Sequence, residues 1–275
     1  MKPQKAAAAP NEVFTELRSG LLGVRLASGE AEIDAVQALR YRVFYQELGA
    51  NADEETRRTQ RDRDIYDTVA DHLLVVDHGL GEGPDSVVGT YRLIRREAAE
   101  RIGHFYSSGE YDISAIEAIP GRILELGRSC VDNDYRNRSV MQVLWRGIAA
   151  YVFQHDIELM FGCASLPGID PDASALELSY LYYNHLAPAA IRPRALSHRY
   201  IDMRRLDRDE IDARAALARL PPLIKGYLRL GGFIGDGAVI DPQFNTIDVA
   251  VVVQTDLMTD KYYKHYERLT RETPD

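Results

Sequence analysis

The sequence predicts an α/β (α+β) chain built on one mixed, mostly antiparallel sheet with helices on both faces. Three observations predict it. Two apolar runs, residues 72–77 and 87–94, are joined through Gly79, Gly81, Gly83 and Pro84, which reads as an antiparallel hairpin. Residues 122–131, 139–155 and 159–164 read in turn as strand, helix and strand. No internal repeat and no clear linker divides the 275 residues, a length that supports a sizeable core.

Residues 1–20 are expected to be a loosely ordered arm, and residues 21–275 a single domain. Met1 to Pro10 carries two lysines and a four-alanine tract, too short and too weakly apolar for the core of a secretion signal, so a cytoplasmic protein is expected. Residues 23–27 read as a short strand. Ser28-Gly-Glu30 then opens a helix with acidic residues in its first turn, and Ile33, Val36, Leu39, Val43 and Phe44 give it one apolar face that ends near Gly49. Residues 51–70 are dense in Asp and Arg with no apolar period, so a long loop is expected, of a length that is usually functional or disordered. After the hairpin and a short helical interlude comes the strand at 122–131. Val140, Leu144, Ile148 and Val152 define the next helix, and residues 159–164 are a buried strand. A helix within 171–186, an arginine-rich connection, a helix at about 221–230, a glycine-rich turn and a strand at 247–253 follow. Met258, Tyr262, Tyr266 and Leu269 fall at helical spacing, an apolar face for docking on the core or for peripheral contact with a membrane.

Composition excludes several classes. The net charge of −9 argues against general nucleic-acid binding, where phosphate neutralisation supplies most of the affinity. No stretch approaches the roughly 20 apolar residues that span a bilayer. Cys130 and Cys163 lie in separate apolar strands, with no spacing that suggests a metal site or a disulfide. A nucleophilic Cys130 would need a histidine partner, and the sequence offers no obvious one. Arginine clusters at 57–63, 92–101 and 192–205 suit bidentate contact with phosphate or carboxylate, or else a solvated face.

The most informative segment is Arg122-Ile-Leu-Glu-Leu-Gly-Arg-Ser-Cys-Val131. Glu125 and Arg128 interrupt an otherwise apolar strand, and a buried carboxylate or guanidinium costs several kcal/mol unless it is paired or used. A cleft that uses them is one reading. A structural ion pair at a strand end is the other.

Four pieces of sequence carry a family resemblance: Leu39-Arg-Tyr-Arg-Val-Phe44, Asp64-Ile-Tyr-Asp67, Gly89-Thr-Tyr-Arg-Leu93 and Glu125-Leu-Gly-Arg128. In this order and spacing the chain resembles the acyl-transferring branch of the GNAT superfamily, specifically acyl-homoserine lactone synthases and ornithine lipid N-acyltransferases. Pro221-Pro-Leu-Ile-Lys-Gly-Tyr-Leu-Arg-Leu-Gly231 and Asp241-Pro-Gln-Phe-Asn-Thr-Ile-Asp248 are similar to the C-terminal signature of the ornithine lipid family. Lactone synthases carry a tryptophan six residues beyond the helix phenylalanine, and this chain has Ala50 there. That departure favours a free amino acid as acceptor over S-adenosylmethionine.

The resemblance implies a GNAT-like fold and an enzyme that transfers a 3-hydroxylated fatty acyl group to the α-amino group of ornithine, with glutamine or lysine as alternative acceptors. A binding module for the carrier protein or for lipid, on the same fold, is the non-enzymatic alternative. Glu125 is the expected general base, with Arg128 and Arg40 beside it. Phe44, Asp64, Asp67, Arg92 and Lys225 are expected near the substrate. Asp64 and Asp67 are to meet the ornithine side chain, or to pair with Arg61 or Arg63. Acetyl-CoA users of the superfamily place a glycine-rich loop after the Glu/Arg strand, whereas Asn133-Asp-Tyr-Arg-Asn-Arg-Ser139 has no glycine. The expected donor is therefore acyl carrier protein, whose phosphopantetheine phosphate would meet Arg136, Arg138 and Ser139, with Gly127 admitting the arm. Neither a metal nor a resident cofactor is expected.

Overall fold

The computed structural model describes residues 14–136 and 138–255. The helix face expected at Met258, Tyr262, Tyr266 and Leu269 lies outside them, as do residues 1–13 of the expected arm. In chain order the elements are β1 (Leu17–Ser19), β2 (Leu22–Leu26), α1 (Glu30–Tyr41), α2 (Glu54–Thr59), β3 (Asp71–Asp77), β4 (Val87–Arg95), α3 (Arg96–Ile102), β5 (Tyr111–Asp112), α4 (Ser114–Glu117), β6 (Ile123–Val131), α5 (Arg138–Gln154), β7 (Leu159–Pro167), α6 (Ala175–His185), β8 (Arg194–Ala195), α7 (Ala213–Arg219), α8 (Pro222–Arg229), β9 (Phe233–Asp241) and β10 (Thr246–Gln254). The strands form one sheet in the order β1-β2-β3-β4-β6-β7-β10-β9-β8-β5. Only β6 with β7 and β8 with β9 run parallel.

Alternation along β3 shows how the layers form. Leu73 and Val75 pack with Val140, Leu144 and Ile148 of α5 on one face, while Leu74 and Val76 pack with Val36 and Leu39 of α1 on the other. A third apolar cluster, including Ile94, Phe105, Tyr111 and Phe161, lies on the α1 side beneath the loops after β4.

Three expectations change. The arm does not extend to residue 20, because β1 pairs with β2 and Leu17 is buried in the core. The loop at 51–70 contains α2, capped by the Asp53 side chain on the Thr56 N–H, and a 3₁₀ turn at Ile65–Thr68 started by Asp64. The glycine-rich turn after α8 is largely the nine-residue strand β9. Its glycines serve close packing: at Gly237, with φ +86°, a Cβ would meet the Tyr200 ring at 2.5 Å.

The feature that positions the site is a split in the sheet. The β6–β7 ladder runs only from Ile123 and Leu159 to Glu125 and Phe161. β7 continues along β10 to Pro167, while β6 continues along β4 to Val131. At the split the two backbones pass so closely that a Cβ on Gly162 would lie 2.1 Å from the Leu126 carbonyl oxygen. Gly162→Ala should therefore lower stability by about 3 kcal/mol or more, since neither backbone can yield without disturbing its outer ladder. Urea denaturation measures this, and an unchanged midpoint would show that the split relaxes freely.

Candidate active site

Beyond the split lies a cleft of about 320 Å³. Its two sides differ because strand side chains alternate. Tyr91, Leu126 and Ala164 line it from the α5 face, together with Leu223 of α8. Arg92, Glu125, Cys163, Ser165 and Asp248 line it from the opposite face. One side of the gap is thus apolar and the other polar.

Phe44 reaches this cleft because α1 does not end at Tyr41 but continues as a π-helix, Arg42–Glu47, in which the Leu48 N–H donates to the Val43 carbonyl at 3.0 Å. The Phe44 ring packs edge-on against Phe244. Gly127 also lines the cleft, and a Cβ placed there would meet nothing within 4 Å, so that side of β6 is open. Arg128 holds a left-handed φ of +51° beside a register shift between β6 and β4, a strained conformation that re-aims its side chain. Its guanidinium lies between the rings of Tyr106 and Phe244, at 4.8 and 4.7 Å.

Arg40 does not line the cleft. It is fully buried behind it, donating to Asp62 at 2.7 Å and to both oxygens of Asp67 at 2.9 Å. Asp64 and Asp67 are likewise not free to meet an acceptor's ammonium, nor do they pair with Arg61 or Arg63. Arg92 binds Asp64 at 2.6 Å and Asp67 at 3.0 Å, and Arg128 reaches Asp62 and Asp64 at 3.2 and 3.3 Å. Arg61 pairs with Asp34, and Arg63 with Glu55. Three arginines and three aspartates therefore form one buried frame that holds Arg92 and Arg128 at the cleft wall. The Arg92 Nε remains without a hydrogen-bond partner.

Glu125 is 2% exposed and accepts from the main-chain N–H of Tyr106 at 2.8 Å and of Ser107 at 2.6 Å, one on each oxygen. Burial pushes its pKa up, against these hydrogen bonds and the Arg92 charge, which favour the ionised form. The Ser107 hydroxyl also bonds to the carboxylate, so one of its acceptor sites remains.

Lys225 lies apart. Its Nζ donates to the Ala218 carbonyl at 2.9 Å, because α8 turns Leu223 to the cleft and a residue two further on points about 200° away around the helix. Arg136 is tied to Glu47, Asn133 and the Val131 carbonyl, and Ser139 is exposed at the start of α5; neither lines the cleft. Arg138 begins α5. Cys130 packs with α1, and burial pushes its thiol up to about 12, which leaves no ready nucleophile.

The sequence reading missed the acids on the cleft's β7–β10 side. Asp248 lines the cleft at 7% exposure, accepting from the Thr246 hydroxyl at 2.9 Å. Among the described residues Glu110, Cys163 and Asp248 each bring one ligand atom within 4.8 Å of the others. Burial and the neighbouring Asp248 push Glu110 up to about 7, and burial pushes Asp248 up as well. Burial and the two acids also raise the Cys163 thiol, against metal-binding thiolate character. Asp248 interrupts Ile247-Asp248-Val249 as Glu125 interrupts β6, so the same signal could have found it.

Comparison with known proteins bears directly on this cleft. The chain is 45% identical to an L-ornithine N(alpha)-acyltransferase of Agrobacterium fabrum over 269 residues, covering 97% of this chain and 92% of that protein. A protein of the same name from Brucella abortus is 46% identical over 252 residues, covering 90% of each. The chain belongs to the L-ornithine N(alpha)-acyltransferase family. Residues 39–146 match the acetyltransferase (GNAT) domain model, and the α/β fold is GNAT-like. Among solved structures, FeeM, an N-acyl amino acid synthase from uncultured soil microbes, has a TM-score of 0.45 at 11% identity, covering 86% of this chain and 91% of its own. In this member of the L-ornithine N(alpha)-acyltransferase family, Glu125, Arg128, Arg92 and Asp248 share one cleft, whereas Lys225 and Arg136 stand outside it. No described helix is long and apolar enough to cross a membrane.

Proposed function

We propose that this protein transfers a 3-hydroxylated fatty acyl group from acyl carrier protein to the α-amino group of L-ornithine, forming lyso-ornithine lipid. The observation that carries this reading is the 45% identity to an L-ornithine N(alpha)-acyltransferase over 97% of the chain. In the reaction the α-amine nitrogen attacks the thioester carbonyl, the C–N bond forms, the C–S bond breaks, and the pantetheine sulfur leaves. Glu125 takes one proton of the α-ammonium, directly or through a water, at its remaining acceptor site, and the second nitrogen proton, released once the C–N bond has formed, passes to the leaving sulfur. Main-chain N–H groups of β6 beyond Glu125, where the ladder to β7 has ended, are the proposed donors to the tetrahedral oxyanion. Open space at Gly127 admits the pantetheine arm. Arg138 and Ser139 at the start of α5, with Arg136 just before it, are the proposed contacts of its phosphate.

Leu48, 57% exposed at the cleft, fits release of an amphiphilic product at the cytoplasmic face of a membrane. Mass spectrometry of products from purified protein tests the reading. 3-Hydroxyacyl carrier protein or the matching acyl-CoA is offered with a panel of amino acids, and with S-adenosylmethionine in a separate reaction. The expected product is Nα-acylornithine from the carrier-protein donor. A lactone from S-adenosylmethionine, or acylation of glutamine in preference to ornithine, would overturn the acceptor assignment, and equal use of the CoA donor would overturn the donor.

A further inference from the structure

The acids on the β7–β10 side of the cleft have no role in the chemistry above, and their environment is unusual. A buried carboxylate normally has a cation or a full set of donors. Among the described residues Asp248 has no ion pair: it is bonded only to the Ser165 and Thr246 hydroxyls, and the guanidinium whose charge acts on it, Arg128, makes its own ion pairs with Asp62 and Asp64. Glu110 is held by Arg199 at 3.3 Å on one oxygen and accepts from the Cys163 thiol at 3.3 Å on the other. Two buried carboxylates therefore lie close together, Asp248 in the cavity wall and Glu110 behind it, and each disfavours the other's charge. A cation arriving from the cleft would remove that cost. Independently, Arg92, 1% exposed and lining the cleft from its β4 side, has a buried Nε with no hydrogen-bond partner, so its guanidinium keeps a donor for an anion.

We infer that the acceptor amino acid lies across this cleft with its side-chain ammonium at Asp248, which Glu110 backs from behind, and its carboxylate toward Arg92 and Arg128, so that Asp248 selects a dibasic acceptor. The assignment rests on the ornithine reading and adds which residues enforce it. It also fixes which amine reacts: with the side-chain ammonium held by acids, the α-amine is the one left near Glu125.

Norvaline, which is ornithine without its terminal amine, supplies the test. The wild-type protein should use ornithine at least about tenfold better than norvaline in kcat/KM, as expected for one charge-assisted contact. Asp248→Asn should bring the two acceptors within about twofold of each other through a larger fall in ornithine than in norvaline kcat/KM. Glu110→Gln should shift the ratio in the same direction. Equal use of both acceptors by the wild type, or an unchanged ratio in Asp248→Asn, would overturn the inference. Should Asp248→Asn not fold, the wild-type ratio and Glu110→Gln decide. A chelator arm completes the test, since loss of activity with EDTA and its return with a divalent metal would mean that these acids hold a metal instead. Absence of acylornithine from the wild type would overturn the proposed function itself, a different result from a wild type that acylates both acceptors alike.

Discussion

Glu125→Gln is expected to lower kcat on ornithine by about 10²–10⁴-fold, the usual cost of removing a positioned general base. The carboxylate is buried in the cleft wall with one acceptor site left after the two main-chain N–H groups and the Ser107 hydroxyl. Glutamine keeps the shape but has a single acceptor oxygen for two main-chain donors, so some loosening of the Tyr106–Ser107 turn is also expected, about 1–3 kcal/mol. The two effects separate experimentally. Loss of a base persists at saturating donor and acceptor in protein that a thermal melt shows to be folded. Loss of turn geometry alone would weaken donor or acceptor binding and recover on cooling. Full kcat in the folded variant would sink the general-base assignment and leave Glu125 as the residue that pins this turn.

Arg40→Ala should be the most damaging substitution to stability. It strips Asp62 and Asp67 of a fully buried partner that reaches both, and breaking such a pair costs about 3–5 kcal/mol, a large part of the stability of an ordinary domain. Arg40→Lys should not restore it, because a single ammonium cannot reproduce a fork that donates from three nitrogens. Urea denaturation of both variants measures the loss, and a midpoint equal to the wild type would show that Arg92 and Arg128 suffice to hold the acids. The same frame has a pH signature. Burial, the largest single influence, would raise both carboxyls, but the charge and hydrogen bonds of Arg40 together with the charge of Arg128 at Asp62 and of Arg92 at Asp67 outweigh it and hold both below the ordinary range. Their contribution is thus present above the unfolded value of about 3.9 and is lost only as pH falls through the lower folded values.

The hairpin, the β6-α5-β7 unit and the place of Glu125 were legible in the sequence, because each is written locally as a period or as a charge in an apolar run. β9 was not. Gly231, Gly232, Gly235 and Gly237 read as chain breaks, and only the packing of Pro193 and Tyr200 against Gly235 and Gly237 shows why a strand there needs glycine. Arg40 was placed in the cleft when it lies behind it, since which side of a helix meets solvent depends on the loop covering it. That loop, 51–70, had no apolar period to read. Lys225 is the one lysine between residues 6 and 260, a property of composition that says nothing of where its side chain points. Glu110, Cys163 and Asp248 are too far apart in sequence for any motif, and they meet because β10 inserts beside β7.

That insertion bears on how the protein is made. Residues 246–254 occupy a central position in the sheet, between β7 and β9, although they follow every other described strand in the chain. While the chain is being synthesised, β7 must wait for its neighbour with one edge unpaired and its apolar residues partly uncovered, the condition under which nascent chains associate wrongly. Contacts of such long sequence separation also make for slow folding. The order of the enzyme's strands therefore makes the interval before β10 leaves the ribosome the one in which the nascent chain has most to gain from a chaperone.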